Sequence, residues 1–280
     1  MQKTNASIFW LIVYTVIGCL IFILGLNLLR LIPVGFRDIY KIGLSTILLI
    51  AYFVSHKYFP NHKTVFLAFF LVSLGWIVEN NLTSRIVHMF SWDTQELSGF
   101  AYTMVTSTLL VSAPVIIGWL LAGQKLSAIY IQGSVKMWGT VLGVVGLLLF
   151  GGLGVLQALN DGLAIELIGA AIPLALVFSL ANGFREELVY RAVFLKGFQT
   201  NIGIVATIIV TTLVFTLAHI DVSYTPANQI VFVIVLVIMG VVGSLIMMKT
   251  GSLIGSVLFH AGADILLIMG MLSSHQLMIK

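Results

Sequence analysis

The sequence predicts an all-α fold, a polytopic transmembrane helical bundle of eight or nine membrane helices, and three observations carry the prediction. Hydrophobic residues make up 60% of the chain and charged residues only 9%, with a mean hydropathy of +1.12; a soluble domain is nearer half apolar and a quarter charged. The apolar residues are gathered into runs, many of them near the length of about 20 that a helix needs to cross hydrocarbon. Such runs must satisfy their backbone polar groups without water, and within one unbroken apolar segment only a helix does so.

The elements follow in order. The first run, 8–31, leads into Arg30, Arg37, Asp38 and Lys41. It is expected to be a retained span, because it is too long for a signal h-region and lacks a small-residue cleavage site. Val16-Ile17-Gly18-Cys19 faintly resembles a lipoprotein site, but apolar sequence continues through it to Leu29. The run 42–54 is shorter and ends at His56, Lys57, His62 and Lys63. After 65–78 comes a polar stretch, 79–96, whose Arg85, His88, Trp92 and Asp93 suit a headgroup region. The run 98–121 spans again, 124–136 reads as a loop, and 138–156 is a Gly-rich span. Its glycines at 139, 143, 146, 151, 152 and 154 would let a neighbouring helix come close. From 162 to 180 the chain is apolar apart from Glu166. Asn182-Gly183 weakens the helix before a further segment, 184–198, either continuous with the preceding span or broken from it. The run 202–218 ends in His219, 221–228 is a loop containing Pro226, 229–248 is a span and 249–251 a tight connection. The last span, 252–272, carries His260 and Asp264.

Charge and cysteine content narrow the function classes. The formal charge of +4 arises from basic residues in short connections, and no basic run with interleaved aromatics occurs, so a nucleic-acid partner is not expected. Lys57, Lys63, Lys125, Lys136, Lys196 and Lys249 fall on even-numbered connections and favour a cytoplasmic side for the loop after the carboxylates; Arg30, Arg37 and Lys41 oppose them. The lone Cys19 allows neither an intrachain disulfide nor a thiolate metal cluster.

Scarce ionised residues crowd into Arg185-Glu186-Glu187-Leu188-Val189-Tyr190-Arg191. An ionisable group within a span is costly and marks a functional site by default. On a helix, residues four apart share a face while adjacent ones diverge. Glu187 therefore has Arg191 as a built-in counter-ion, a supporting ion pair. Glu186 shares its face with Asn182 and Tyr190, which hydrogen-bond but do not neutralise, and so Glu186 is the better candidate for a proton-accepting base. A wet charge cluster without chemistry is the plain alternative. His219 closes Phe215-Thr-Leu-Ala-His219 and reads either as a site residue or as a helix C-terminal cap. His260 and Asp264 lie four apart inside an apolar run, where the carboxylate would fix the imidazole tautomer and aim its other nitrogen; a purely structural pair would look the same.

Glu186-Glu187-x-x-x-Arg191, then Phe215-x-x-x-His219, then His260-x-x-x-Asp264, in this order on successive helices, resembles the CPBP family, the CAAX-prenyl-protease and bacteriocin-processing (Abi) intramembrane endopeptidases related to Rce1. The resemblance spans about 162–272. It implies two regions, N-terminal transmembrane helices over 1–160 and a catalytic transmembrane core over 161–275. It also implies a glutamate-type peptidase, with Glu186 activating water, His219 assisting, His260 donating to the developing oxyanion, and Glu187–Arg191 as the positioning pair. The family carries Asn or Asp at position 264. An ionised Asp264 cannot donate to an oxyanion, so its expected role is to orient His260 or to be protonated itself. The expected partners are the lipid bilayer and a membrane-associated peptide or protein substrate, prenylated or not, and the expected setting is a bacterial or archaeal plasma membrane. No cofactor is expected, although Glu186 or Glu187 with His219 and His260 would make three ligands for Zn²⁺. Two other functions compete on sequence grounds: a non-catalytic bacteriocin self-immunity or peptide-sequestering membrane protein, and a proton-coupled transporter, for which no internal inverted repeat is visible.

Overall fold

The computed structural model describes residues 2–132, 136–219 and 229–279. Ten α-helices follow in order: α1 (Gln2–Gly18), α2 (Arg37–Tyr58), α3 (Lys63–Met89), α4 (Leu97–Leu121), α5 (Met137–Asn160), α6 (Ile165–Glu186), α7 (Val193–Ile202), α8 (Ile204–Ala218), α9 (Gln229–Thr250) and α10 (Ile254–Ser273). Two π-helical stretches, Cys19–Asn27 and Glu187–Ala192, extend α1 and join α6 to α7. Among the described residues the only sheet-like pairing is a bridge between Glu96 and Met278. Among the described residues, eight helical stretches are long and apolar enough to cross a membrane, and α8 is a shorter apolar helix.

Two elements outrun their hydropathy. The helix predicted over 42–54 extends to Arg37–Tyr58, and the polar stretch 79–96 is helical as far as Met89. In α3 the polar side chains do not compete with the helix. Asn80 and Asn81 bond back to the carbonyls of Trp76 and Ile77 one turn earlier, and Thr83 bonds to Glu79. Hydropathy marks where a helix meets lipid, whereas the backbone ladder stops only where geometry stops it, here near Ser91 with φ 52°. Asn182-Gly183 does not break α6; the chain runs helically from Ile165 to Ile202. The tight turn between α7 and α8 is at Gly203, whose φ of 82° suits a residue without Cβ. The loop expected over 221–228 lies outside the described residues.

The glycines of α5 explain how the helices close around the site. A Cβ on Gly143 would lie 2.5 Å from the Gly255 carbonyl, one on Gly262 2.6 Å from the Gly146 carbonyl, and one on Gly154 2.7 Å from the Leu266 Cα. The pairing order makes α5 and α10 parallel neighbours in backbone contact, the small-residue packing that substitutes for hydrophobic drive in lipid. On the other side of α10, a Cβ on Gly183 of α6 would meet the Val257 carbonyl at 3.1 Å and His260 Cβ at 3.5 Å. The helix that carries His260 and Asp264 is thus pressed between α5 and α6. An apolar cluster of Ile168, Ala171, Ala175 and Phe178 with Ile265, Ile268 and Met269 continues the α6–α10 contact.

Gly143→Leu forces these backbones apart and should cost about 1–3 kcal/mol. Gly152 meets nothing within 4 Å, so Gly152→Ala should be neutral or slightly stabilising. Unfolding of both variants in detergent checks the contrast.

Candidate active site

The site forms where the π-turn leaves α6. Such turns are rare and recur at functional positions. Here the turn begins at Glu187, and both carboxylates are buried, Glu186 to 7% exposure and Glu187 to 1%. Buried charge is tolerated only when paired and hydrogen-bonded, and the two carboxylates meet that demand differently.

Glu187 is saturated. Its Oε1 accepts from Arg191 Nη1 and, at 2.9 Å, from His260 Nδ1, while Oε2 accepts from Ser256 Oγ. The fully buried Arg191 also lies over the Phe215 ring, 4.2 Å from its centroid. Gly243 of α9 covers the pair, where a Cβ would come within 2.9 Å of Ser256 Oγ and 3.3 Å of Glu187 Oε2. The sequence-predicted pair is therefore formed, and it also gathers α9 and α10.

Glu186 is not saturated. Its Oε2 is buried with no hydrogen-bond partner among the described residues. His219 Nε2 stands 3.4 Å from it and His260 Nε2 3.6 Å. Both imidazoles present that nitrogen for the same reason: Nδ1 is engaged elsewhere. His219 Nδ1 donates to the Phe215 carbonyl at 2.8 Å, a backbone bond along the last turn of α8, and His260 Nδ1 donates to Glu187. With Nδ1 protonated, a neutral ring offers only a lone pair at Nε2. Two lone pairs and a carboxylate oxygen facing one point repel unless a proton or a hydrogen-bond donor lies between them. The arrangement is suited to receive a small protic molecule such as water.

Asp264 differs from expectation. The carboxylate that fixes the His260 tautomer is Glu187, not Asp264; Asp264 Oδ1 lies 3.7 Å from Nε2, on the face that looks toward Glu186. Glu187, at the start of the π-turn, occupies Nδ1, and Asp264, one turn along α10, lies beside Nε2. Asp264 Oδ2 instead accepts from Asn182 Nδ2 at 3.0 Å. Glu186 also has a cation that helix-face logic misses: Arg185 Nη2 is 3.4 Å from its Oε1. Adjacent residues diverge on a helix, but an arginine is long enough to fold back. Ser256 was likewise unassigned from sequence, although its i−4 relation to His260 puts it on the same face.

Asn182, Glu186, His219, His260 and Asp264 line a cavity of about 500 Å³ whose remaining walls are largely apolar, including Phe215, Leu236, Met239, Leu267 and Met271. Among the described residues, no group of three or more His, Cys, Asp or Glu side chains is arranged to hold a metal ion, the Glu186, His219 and His260 set included.

Arg191→Ala would leave Glu187 charged and unpaired inside the bundle, at a cost of about 3–5 kcal/mol. Glu187→Gln combined with Arg191→Met removes both charges and should recover part of that loss, as measured by denaturant unfolding in micelles.

Residues 168–266 match a family model described as Rce1-like: Type II CAAX prenyl endopeptidase Rce1-like. No curated protein and no solved structure matches the chain. The matched segment begins in α6, ends two residues past Asp264, and contains both carboxylates, Arg191, both histidines and Asp264. This match covers the helices that converge on the buried carboxylates, and over these residues the chain is similar to the Rce1-like type II CAAX prenyl endopeptidases.

Proposed function

We propose that this protein is an intramembrane endopeptidase that hydrolyses a peptide bond of a membrane-associated protein or peptide. One observation carries the reading: Glu186 Oε2, His219 Nε2 and His260 Nε2 face a common point at the wall of an apolar cavity. Water bound there donates one hydrogen to Glu186 and lies beside His219. As its oxygen attacks the scissile carbonyl, Glu186 takes the proton, with His219 helping to hold the water. The C–N bond then breaks, the proton passes from Glu186 to the leaving amine, and the water oxygen stays on the new carboxyl group.

His260 serves the oxyanion. Glu187 fixes its Nδ1–H, so when the ring carries both protons Nε2–H points at the reacting centre and donates to the developing charge. Arg191 and Ser256 hold Glu187 and thereby the ring. Asp264 accepts from Asn182 and does not itself donate to the oxyanion.

The family description names prenylated CAAX substrates. The apolar cavity walls fit an isoprenoid chain or an apolar residue beside the scissile bond. The bilayer delivers such a substrate laterally.

Glu186→Ala and His219→Ala should each lower cleavage of a membrane-tethered reporter peptide by about 10²–10⁴-fold while the purified variants stay folded. Undiminished cleavage by both would overturn the assignment.

A further inference from the structure

The contacts of Arg185 reach beyond the family's motif residues. Its Nη1 donates to Ser107 Oγ of α4 at 2.7 Å, and Ser107 in turn donates to Glu79 Oε1 of α3 at 3.0 Å. Its Nη2 donates to Asn182 Oδ1 at 2.6 Å and approaches Glu186 Oε1 at 3.4 Å. The guanidinium also faces the Trp76 ring, 5.4 Å from the centroid, a favourable setting for a cation. Its Nε has no partner among the described residues, so Nη1 and Nη2 carry every hydrogen bond of the group.

The polarity of this network follows from one rule: a guanidinium only donates. Asn182 must therefore turn its carbonyl oxygen to Arg185, and its NH₂ group is then left for Asp264 Oδ2. Ser107 must offer Arg185 its oxygen, and its hydroxyl hydrogen is then left for Glu79. Every hydrogen bond in the path from Glu79 to Asp264 takes its direction from Arg185.

Resting on the peptidase reading, we infer that Arg185 is the positioning cation of the site, holding Glu186 directly and Asp264 through Asn182, and that α3 and α4 hold Arg185 in turn through Glu79, Ser107 and Trp76. The argument is geometric economy. Glu187 already has the Arg191 guanidinium, and Arg185 supplies the one that serves Glu186. Its planar fork reaches three partners at once, which a lysine ammonium on a flexible stem does not reproduce. The N-terminal helices, generic by sequence, thereby become part of what sets the geometry of the reacting groups.

The test uses the full-length protein in lipid, with rates normalised to the folded fraction. Ser107→Ala and Glu79→Gln touch neither the cavity nor the reacting groups. Each should lower kcat about tenfold with KM unchanged, the loss of roughly one charge-assisted hydrogen bond felt in the transition state. Arg185→Met should lose more than about a hundredfold, and Arg185→Lys should recover at least about tenfold of that without reaching wild type. Wild-type kcat in both Ser107→Ala and Glu79→Gln, or a lysine variant as inactive as the methionine one, would overturn the inference. A second measurement is independent of peptidase activity. In thermal unfolding, Asn182→Leu should shift the midpoint less in an Arg185→Met background than in wild type, because the shared bond is already gone. Additive shifts overturn the linkage even if no peptide is cleaved, whereas a wild type that cleaves nothing while its shifts are non-additive defeats the peptidase reading alone.

Discussion

The saturated Glu187 is the interaction on which the rest of the site depends. A carboxylate buried among membrane helices is tolerated only if its charge and its lone pairs are met. Arg191, Ser256 and His260 meet them from two helices. In doing so they pin the π-turn, draw α10 against it and fix which nitrogen of His260 faces the cavity. The neighbouring Glu186 can then be left with an unfilled oxygen without disordering its surroundings. Adjacent residues of one chemical type thus serve opposite purposes, one giving rigidity and the other keeping an open valence.

Close backbone approach is the second condition. Three helices must come near enough for side chains as short as Ser and Asp to meet across them. Gly143, Gly146 and Gly154 of α5, with Gly183 and Gly243, are placed where a Cβ would crowd α10 or the ion pair itself. Lipid supplies little hydrophobic drive for helix association, so this packing and the buried polar bonds hold the site together. The same arrangement leaves an apolar cavity beside α10, open to the side chains of α8 and α9.

Much of this was legible in the chain. The helical spans and the Glu187–Arg191 neighbours follow from hydropathy and from the i,i+4 relation. Other features were not. The extent of α3 through a polar stretch escaped because Asn80 and Asn81 satisfy themselves on their own helix. The partner of His260 Nδ1 escaped because the i,i+4 rule points to Asp264, whereas Glu187, on another helix, holds that nitrogen. Arg185 escaped because face logic treats adjacent residues as divergent, and a long side chain need not obey it.

What the sequence by itself determined is local. Apolar run lengths and backbone satisfaction dictate a helical membrane protein, and the scarcity of charge marks 185–191, His219, His260 and Asp264 as its candidate site. What only the tertiary structure decided is which atoms meet. His260 and Glu187 are 73 positions apart, Asn182 and Asp264 82, and Arg185 and Ser107 78. Helical periodicity does not relate residues on different helices. Their meeting is set by where glycine lets backbones touch, and by the cost of burying a charge without a partner.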